Sequence, residues 1–149
     1  MPASRRAAAC LALACAVVLS TTSSQAGASP SPMVDKINKV RAAYGLPALR
    51  YSRSLARSSS LFSRHVLRTG RFAHASRIWA SRRFSSVGEI LALNSGWRVR
   101  RKRTLRLWLG SLGHRNVLMS PAYRYIGAAR AHGLLGVNPA TVWTVQFGR

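Results

Sequence analysis

Three side chains that are far apart in the sequence, two histidines and one glutamate, are the strongest candidates for chemistry in this chain. His74 ends a short Gly-Arg-Phe-Ala-His run, Glu89 follows a glycine, and His114 follows a Leu-Gly pair. Two neutral imidazoles and one carboxylate can bind Zn²⁺ or another divalent metal and leave a position for water. A metal held in this way would activate that water or polarise a carbonyl group.

The same side chains allow interpretations without a metal. Histidine titrates near neutral pH, so the trio could perform metal-free acid–base chemistry. Ser111, three residues before His114, could act as a nucleophile, although no second carboxylate is at hand to orient the imidazole. A purely structural role is also open, because a carboxylate between two histidines forms charge-assisted hydrogen bonds that tie loops together.

The first 28 residues have the pattern of a secretory signal peptide. Two arginines, Arg5 and Arg6, precede an apolar run over residues 7–19 that is too short to span a bilayer comfortably. Small and polar residues follow and end in Ala-Gly-Ala28. We therefore expect a protein that is secreted into the extracellular space or the cell envelope.

The domain organisation follows from this boundary. Residues 29–32 form a short linker, and residues 33–149 are long enough for one domain with a buried core. No stretch after the signal approaches the roughly 20 apolar residues of a membrane-spanning helix. Cys10 and Cys15 both lie in the signal's apolar run, so the mature domain is expected to lack disulfides. Cleavage before Cys15, as in a lipoprotein, is the alternative.

The charge of the chain is extreme. Its net charge is +22, from 24 lysines and arginines against two acidic residues, Asp35 and Glu89. Such a surface is expected to adhere to anionic cell-wall polymers or lipid surfaces. The alternative to such a partner is a solvated surface that is rich in arginine because of codon usage. The sequence has no motif that reads DNA or RNA, so we expect no specific nucleic-acid partner, and we expect a monomer.

Helical signals dominate the first half of the mature chain. Helices are predicted from Pro32 to about Gly45, from Ser52 to a stop at Gly70, and from an N-cap at Thr104 to Ser111. The segment 75–86 reads as a long loop that holds a short helix. The basic run 98–103 reads as a solvated loop, with a phosphate-binding patch as the alternative.

Strand signals dominate the last third. Residues 123–131 and 141–147 are predicted as an antiparallel pair, with 132–140 as a turn-rich connection. Residues 89–93 fit either a turn of helix or a short strand. Helices that come early and strands that come late indicate an α+β fold.

The order of these motifs resembles the CAP superfamily, also called the SCP domain, in its compact bacterial branch. The resemblance runs from about residue 34 to residue 148. It rests on the Gly-Leu-Pro-x-Leu exit of the first helix, a Phe-Ala-His end of the second, and the Gly88-Glu89 pair. It also rests on a Trp-x-x-Ser-x-Gly-His-Arg segment that starts at Trp108, and on the two closing strands.

The resemblance implies a three-layer α/β/α sandwich with a small, mostly antiparallel sheet and a cleft lined by two histidines and up to two glutamates. His74, Glu89 and His114 occupy the matching positions. The second glutamate has no counterpart, and Ser111 stands roughly where some branches carry it. The expectation is a binding module whose cleft holds zinc or another divalent metal. An extracellular hydrolase, or a polyanion binder with a vestigial cleft, are the alternatives.

Overall fold

The computed structural model describes residues 31–149. The predicted signal peptide, both cysteines and the first half of the predicted linker lie outside this range. In chain order the elements are α1 (Pro32–Ala43), β1 (Arg50–Tyr51), α2 (Arg53–Thr69), β2 (Val87–Ser95), α3 (Arg101–Gly110), α4 (Leu112–Met119), β3 (Tyr125–Leu135) and β4 (Asn138–Gly148). A single 3₁₀ turn at Ser81–Arg83 interrupts the loop between α2 and β2, as predicted.

The sheet has four strands in the order β1-β3-β4-β2. The short β1 pairs in parallel with β3, and β4 pairs antiparallel with both β3 and β2. The sheet is therefore mixed but mostly antiparallel, as predicted. Its register places Glu89 of β2 directly opposite Gln146 of β4.

Helices cover both faces of the sheet. On one face, the three side chains Trp143, Val145 and Phe147 of β4 pack in one apolar cluster with residues of α1, α3 and α4. On the other face, α2 lies directly on β3 and β4, where Ser59 donates a hydrogen bond to the carbonyl of Gly127 at 3.0 Å. The result is the predicted α+β fold with three α/β/α layers.

Residues from Met33 onward form both apolar clusters, so the described part of the chain carries its own core. Trp108 is 1% exposed in that core, and its indole N–H donates to the carbonyl of Leu91 at 2.7 Å. Residues 31–149 therefore contain the contacts that a domain needs to fold by itself.

The sequence predicted both ends of α2 correctly from single residues next to them. The Ser52 hydroxyl accepts a hydrogen bond from the backbone N–H of Leu55, as an N-cap should. Gly70 ends the helix with a φ of 68°, a left-handed conformation that favours glycine.

The predicted start of α3 at Thr104 is wrong. Thr104 is fully buried and its hydroxyl is hydrogen bonded to the Asn94 side chain, so it belongs to the core and not to a cap. The helix begins one turn earlier, at Arg101, and half of the basic run 98–103 is therefore helical. The separate helix α4 was not predicted, because a glycine at its second position weakens the helical signal.

The predicted turn-rich connection over 132–140 is also too long. Strands β3 and β4 continue until only Gly136 and Val137 link them, and Gly136 adopts a φ of 63°. Cross-strand pairing, including a 2.8 Å hydrogen bond between the side chains of His132 and Thr141, extends the hairpin. Residues 89–93, which fitted either a helical turn or a strand, lie within the nine-residue strand β2.

None of the helices between residues 31 and 149 is both long and apolar enough to cross a bilayer.

Candidate functional site

The Glu89 carboxylate is the most constrained charged group of the candidate site. Its side chain is only 5% exposed. One oxygen, Oε1, accepts hydrogen bonds from the Ala75 backbone N–H at 3.0 Å and from Nδ1 of His74 at 3.1 Å. The other oxygen, Oε2, accepts from the Gln146 amide at 2.9 Å. Charge-assisted bonds of this kind fix both the carboxylate and the groups that donate to it.

His74 lies on the loop after α2, and its side chain is 61% exposed. When this ring is protonated, its contact with Glu89 is the one ion pair within residues 31–149. Because Glu89 holds both Nδ1 of the ring and the next backbone N–H, the loop is pinned to β2 at this point. The structure thus brings two of the three predicted side chains into direct contact.

His114 lies in the first turn of α4, where its Nδ1 is 2.9 Å from the Ser111 hydroxyl. Burial lowers the pKa of His114 below its ordinary value, and the positive charge of protonated His74 lowers it further. His114 therefore lies close enough to His74 to sense its charge. Ser111 occupies the N-cap position, but its hydroxyl binds the imidazole instead of capping α4.

The hydrogen bonds of Glu89 and the two histidines decide which of their atoms could still bind a metal. Within residues 31–149, no group of three His, Cys, Asp or Glu side chains is placed to hold one ion. Glu89 already accepts three hydrogen bonds, and the Nδ1 atoms of both histidines are engaged by oxygens. This pattern matches that of a carboxylate that orients a histidine ligand, with Nε2 left to face a metal. Of each imidazole, Nε2 therefore remains as the atom that could bind a ligand.

Gln146 is a member of this site that sequence analysis missed. Its amide N–H donates to Glu89, and its Oε1 is buried with no hydrogen-bond partner in the described part of the chain. An orphaned buried acceptor is costly unless a water or a ligand satisfies it. The only available signal was the alternation of β4, which places Gln146 on the face opposite Trp143, Val145 and Phe147.

A small cavity of about 180 Å³ opens beside His74. Its lining includes Phe62 and His65 of α2, whose rings are stacked with centroids 5.9 Å apart. His65, which the sequence placed one step off the apolar face of α2, therefore reaches the same cavity as His74. Neither Glu89 nor His114 lines it.

Taken together, the three-layer sandwich and the His–Glu contact at one end of its sheet define the protein as a domain of the CAP/SCP class. A sequence model of the cysteine-rich secretory protein family, CAP, matches residues 34–147. The chain belongs to this family. No curated protein matches the sequence closely enough to count as a relative.

Solved structures show the same fold. An outer surface protein from Borrelia burgdorferi is 19% identical with a TM-score of 0.67, and the match covers 78% of this chain and 89% of that one. An extracellular SCP-domain protein from Bacillus anthracis is 23% identical with a TM-score of 0.62, over 78% of this chain and 39% of that one. Venom allergen-like protein 4 from Schistosoma mansoni is 13% identical, with a TM-score of 0.53 over 78% and 84%.

Proposed function

We propose that this protein is an exported bacterial CAP-domain binding module of the envelope or extracellular space, and that His74 and His114 bind a divalent metal such as Zn²⁺. Similar solved structures are an outer surface protein and an extracellular protein, which supports export. The predicted signal peptide supports it independently.

The single observation that carries the metal proposal is the arrangement of Glu89. Three donors hold this nearly buried carboxylate, and one of them is Nδ1 of His74. The bond directs Nε2 of the same ring away from Glu89, so this atom is the one left to bind a metal. The lowered pKa of His114 keeps that ring neutral at neutral pH, as a ligand must be. A bound metal would supply a polarising charge and a coordinated water.

A Zn²⁺ titration of residues 29–149, followed by NMR of the histidine rings and by thermal unfolding, tests the proposal. The signals of His74 and His114 should shift or broaden at about one equivalent, and the melting temperature should rise with free Zn²⁺. Glu89→Gln should weaken binding by about 10–100-fold, since it removes the carboxylate that orients His74.

His132→Gln is the matched control, because His132 lies near the β3–β4 turn, at the far end of the sheet from Glu89. It should leave Zn²⁺ binding unchanged. If equimolar Zn²⁺ alters neither the histidine signals nor the melting temperature, the metal proposal is wrong.

An extracellular hydrolase is the second candidate, and the 2.9 Å contact between Ser111 and His114 favours it. In this arrangement the imidazole would remove the hydroxyl proton as the serine attacks. However, His114 has no carboxylate partner within residues 31–149 to orient its ring, unlike a complete triad. Turnover of an ester substrate that disappears in Ser111→Ala, with Zn²⁺ binding retained, would favour the hydrolase.

A further inference from the structure

One end of the sheet exposes apolar side chains that the core does not use. Trp97 is 63% exposed on the loop after β2, and Val137 at the β3–β4 turn is 85% exposed. Leu134, just before that turn, is 53% exposed. The loop and the hairpin are joined, because the Gly96 backbone N–H donates to the carbonyl of Pro139 at 2.7 Å. We call Trp97, Leu134 and Val137 the apolar tip.

An open, strongly basic cavity is lined mostly by residues that closely follow Trp97 in the chain, starting at Val99. The chain runs from Trp97 directly into Arg98, and the cavity lies between α1 and the start of α3 with a volume of about 740 Å³. Six of its seven lining residues are cationic, namely Lys36, Arg100, Arg101, Lys102, Arg103 and Arg106.

Within residues 31–149, no carboxylate forms an ion pair with the cations of this basic cavity. The one ion pair in that range joins His74 to Glu89. The Arg101 guanidinium also has a buried Nε that lacks a hydrogen-bond partner in the same part of the chain. Like charges brought together in this way repel each other, so an anion that enters the cavity relieves the repulsion.

We propose that the apolar tip and the basic cavity together form a docking surface for a membrane that contains anionic phospholipid. Phosphate head groups occupy the cavity, and Trp97 and Val137 enter the interfacial region of the bilayer. Tryptophan is enriched at this depth in membranes, because its amphipathic ring suits the boundary between head groups and acyl chains. Basic residues beside it are attracted by the negative surface potential of the lipid.

The exposed apolar side chains favour a membrane over a soluble polyanion. A phosphate polymer would use the cationic side chains alone, and it would leave Trp97 and Val137 in water. A bilayer offers both the phosphates and an apolar phase next to them, as interfacial protein segments require. The surface is also separate from the His74–Glu89 contact, so this proposal does not depend on metal binding.

Sedimentation with vesicles tests whether the basic cavity contributes to membrane binding. Residues 29–149 should bind vesicles that contain phosphatidylglycerol and should not bind vesicles of phosphatidylcholine alone, and added salt should weaken the binding. The variant R100Q/R103Q/R106Q should lower the partition coefficient by roughly 100-fold. The control variant R53Q/R57Q/R64Q removes the same charge from α2, on the other face of the sheet, and should lower it by less than about tenfold.

Tryptophan fluorescence tests whether the apolar tip enters the bilayer. Trp108 and Trp143 are buried, so a blue shift on vesicle binding must come from Trp97 or from Trp79, which is 57% exposed beside Arg57 and Arg83. The shift should survive in Trp79→Phe and disappear in Trp97→Phe. Trp97→Ser should weaken vesicle binding by about tenfold, whereas Trp79→Ser should not.

Two results would overturn the proposal. Equal loss of vesicle binding in the two triple-glutamine variants would show that net charge alone causes adhesion. Binding that is unaffected by Trp97→Ser and shows no blue shift, with equal affinity for a soluble poly(glycerol phosphate), would assign the cavity to a cell-wall polymer instead.

Discussion

At the scale of single residues, Glu89 decides the geometry of the candidate site. A carboxylate with three hydrogen-bond donors has little freedom left, so it holds His74 in one orientation. Gly88, just before it, is needed for packing, because a Cβ at this position would overlap the Tyr123 ring. His114 lies on α4, and burial and the charge of His74 lower its pKa.

The lowered pKa gives a pH prediction for His114. Its NMR titration midpoint should lie below about 6.5, and His74→Gln should raise it without restoring the ordinary value, because burial is the larger cause. Since the unfolded chain binds this proton more readily, the contribution of His114 to stability falls as pH drops through about 6.5 and levels off below the folded value. A midpoint that His74→Gln leaves unchanged would show that the two rings do not interact.

At the scale of elements, contact between α2 and β3 holds one helical layer against the sheet. Gly127 makes the contact possible, since a Cβ there would overlap the backbone of Leu55 and Ala56 at the start of α2. On the other face, the buried Arg41 of α1 binds the end of α4 by donating to the carbonyls of Leu118 and Ser120. Carbonyls at a helix C-terminus favour such a cation.

Gly127→Ala should therefore destabilise the domain. We expect a loss of about 1–3 kcal/mol in the free energy of unfolding, toward the upper end because the obstacle is backbone. Chemical denaturation measures it. Gly133→Ala on the same strand is the control, because its Cβ would meet only the flexible Leu67 side chain at 3.3 Å. Equal losses in the two variants would mean that α2 can move away from β3.

At the scale of the whole molecule, positive charge opposes folding. The net charge is +22 over the full sequence and +20 without Arg5 and Arg6 of the predicted signal peptide. The one ion pair between residues 31 and 149 offsets little of it. Compact states of such high charge are destabilised by self-repulsion.

Salt should therefore stabilise this domain. The melting temperature, followed by circular dichroism, should rise as NaCl increases from about 0.01 M to 0.15 M, where screening shortens to about 8 Å. The control variant R53Q/R57Q/R64Q should melt at a higher temperature in low salt and respond less to salt. A melting temperature that falls with salt would show that net attraction between charges outweighs repulsion.

The sequence by itself was enough for the family, the α+β class, the caps of α2, and the choice of His74 and Glu89 as members of one site, which the resemblance implied. These features depend on short-range signals, such as Ser52 and Gly70, or on motifs whose order survives in one dimension. Other contacts were decided only by the tertiary structure. Gln146 joins Glu89 through strand register, and Thr104 is hydrogen bonded to Asn94 in the core. Gly96, next to Trp97, is hydrogen bonded to Pro139 at the start of β4. Such contacts join residues dozens of positions apart or override a local preference, so no nearby pattern of residues predicts them.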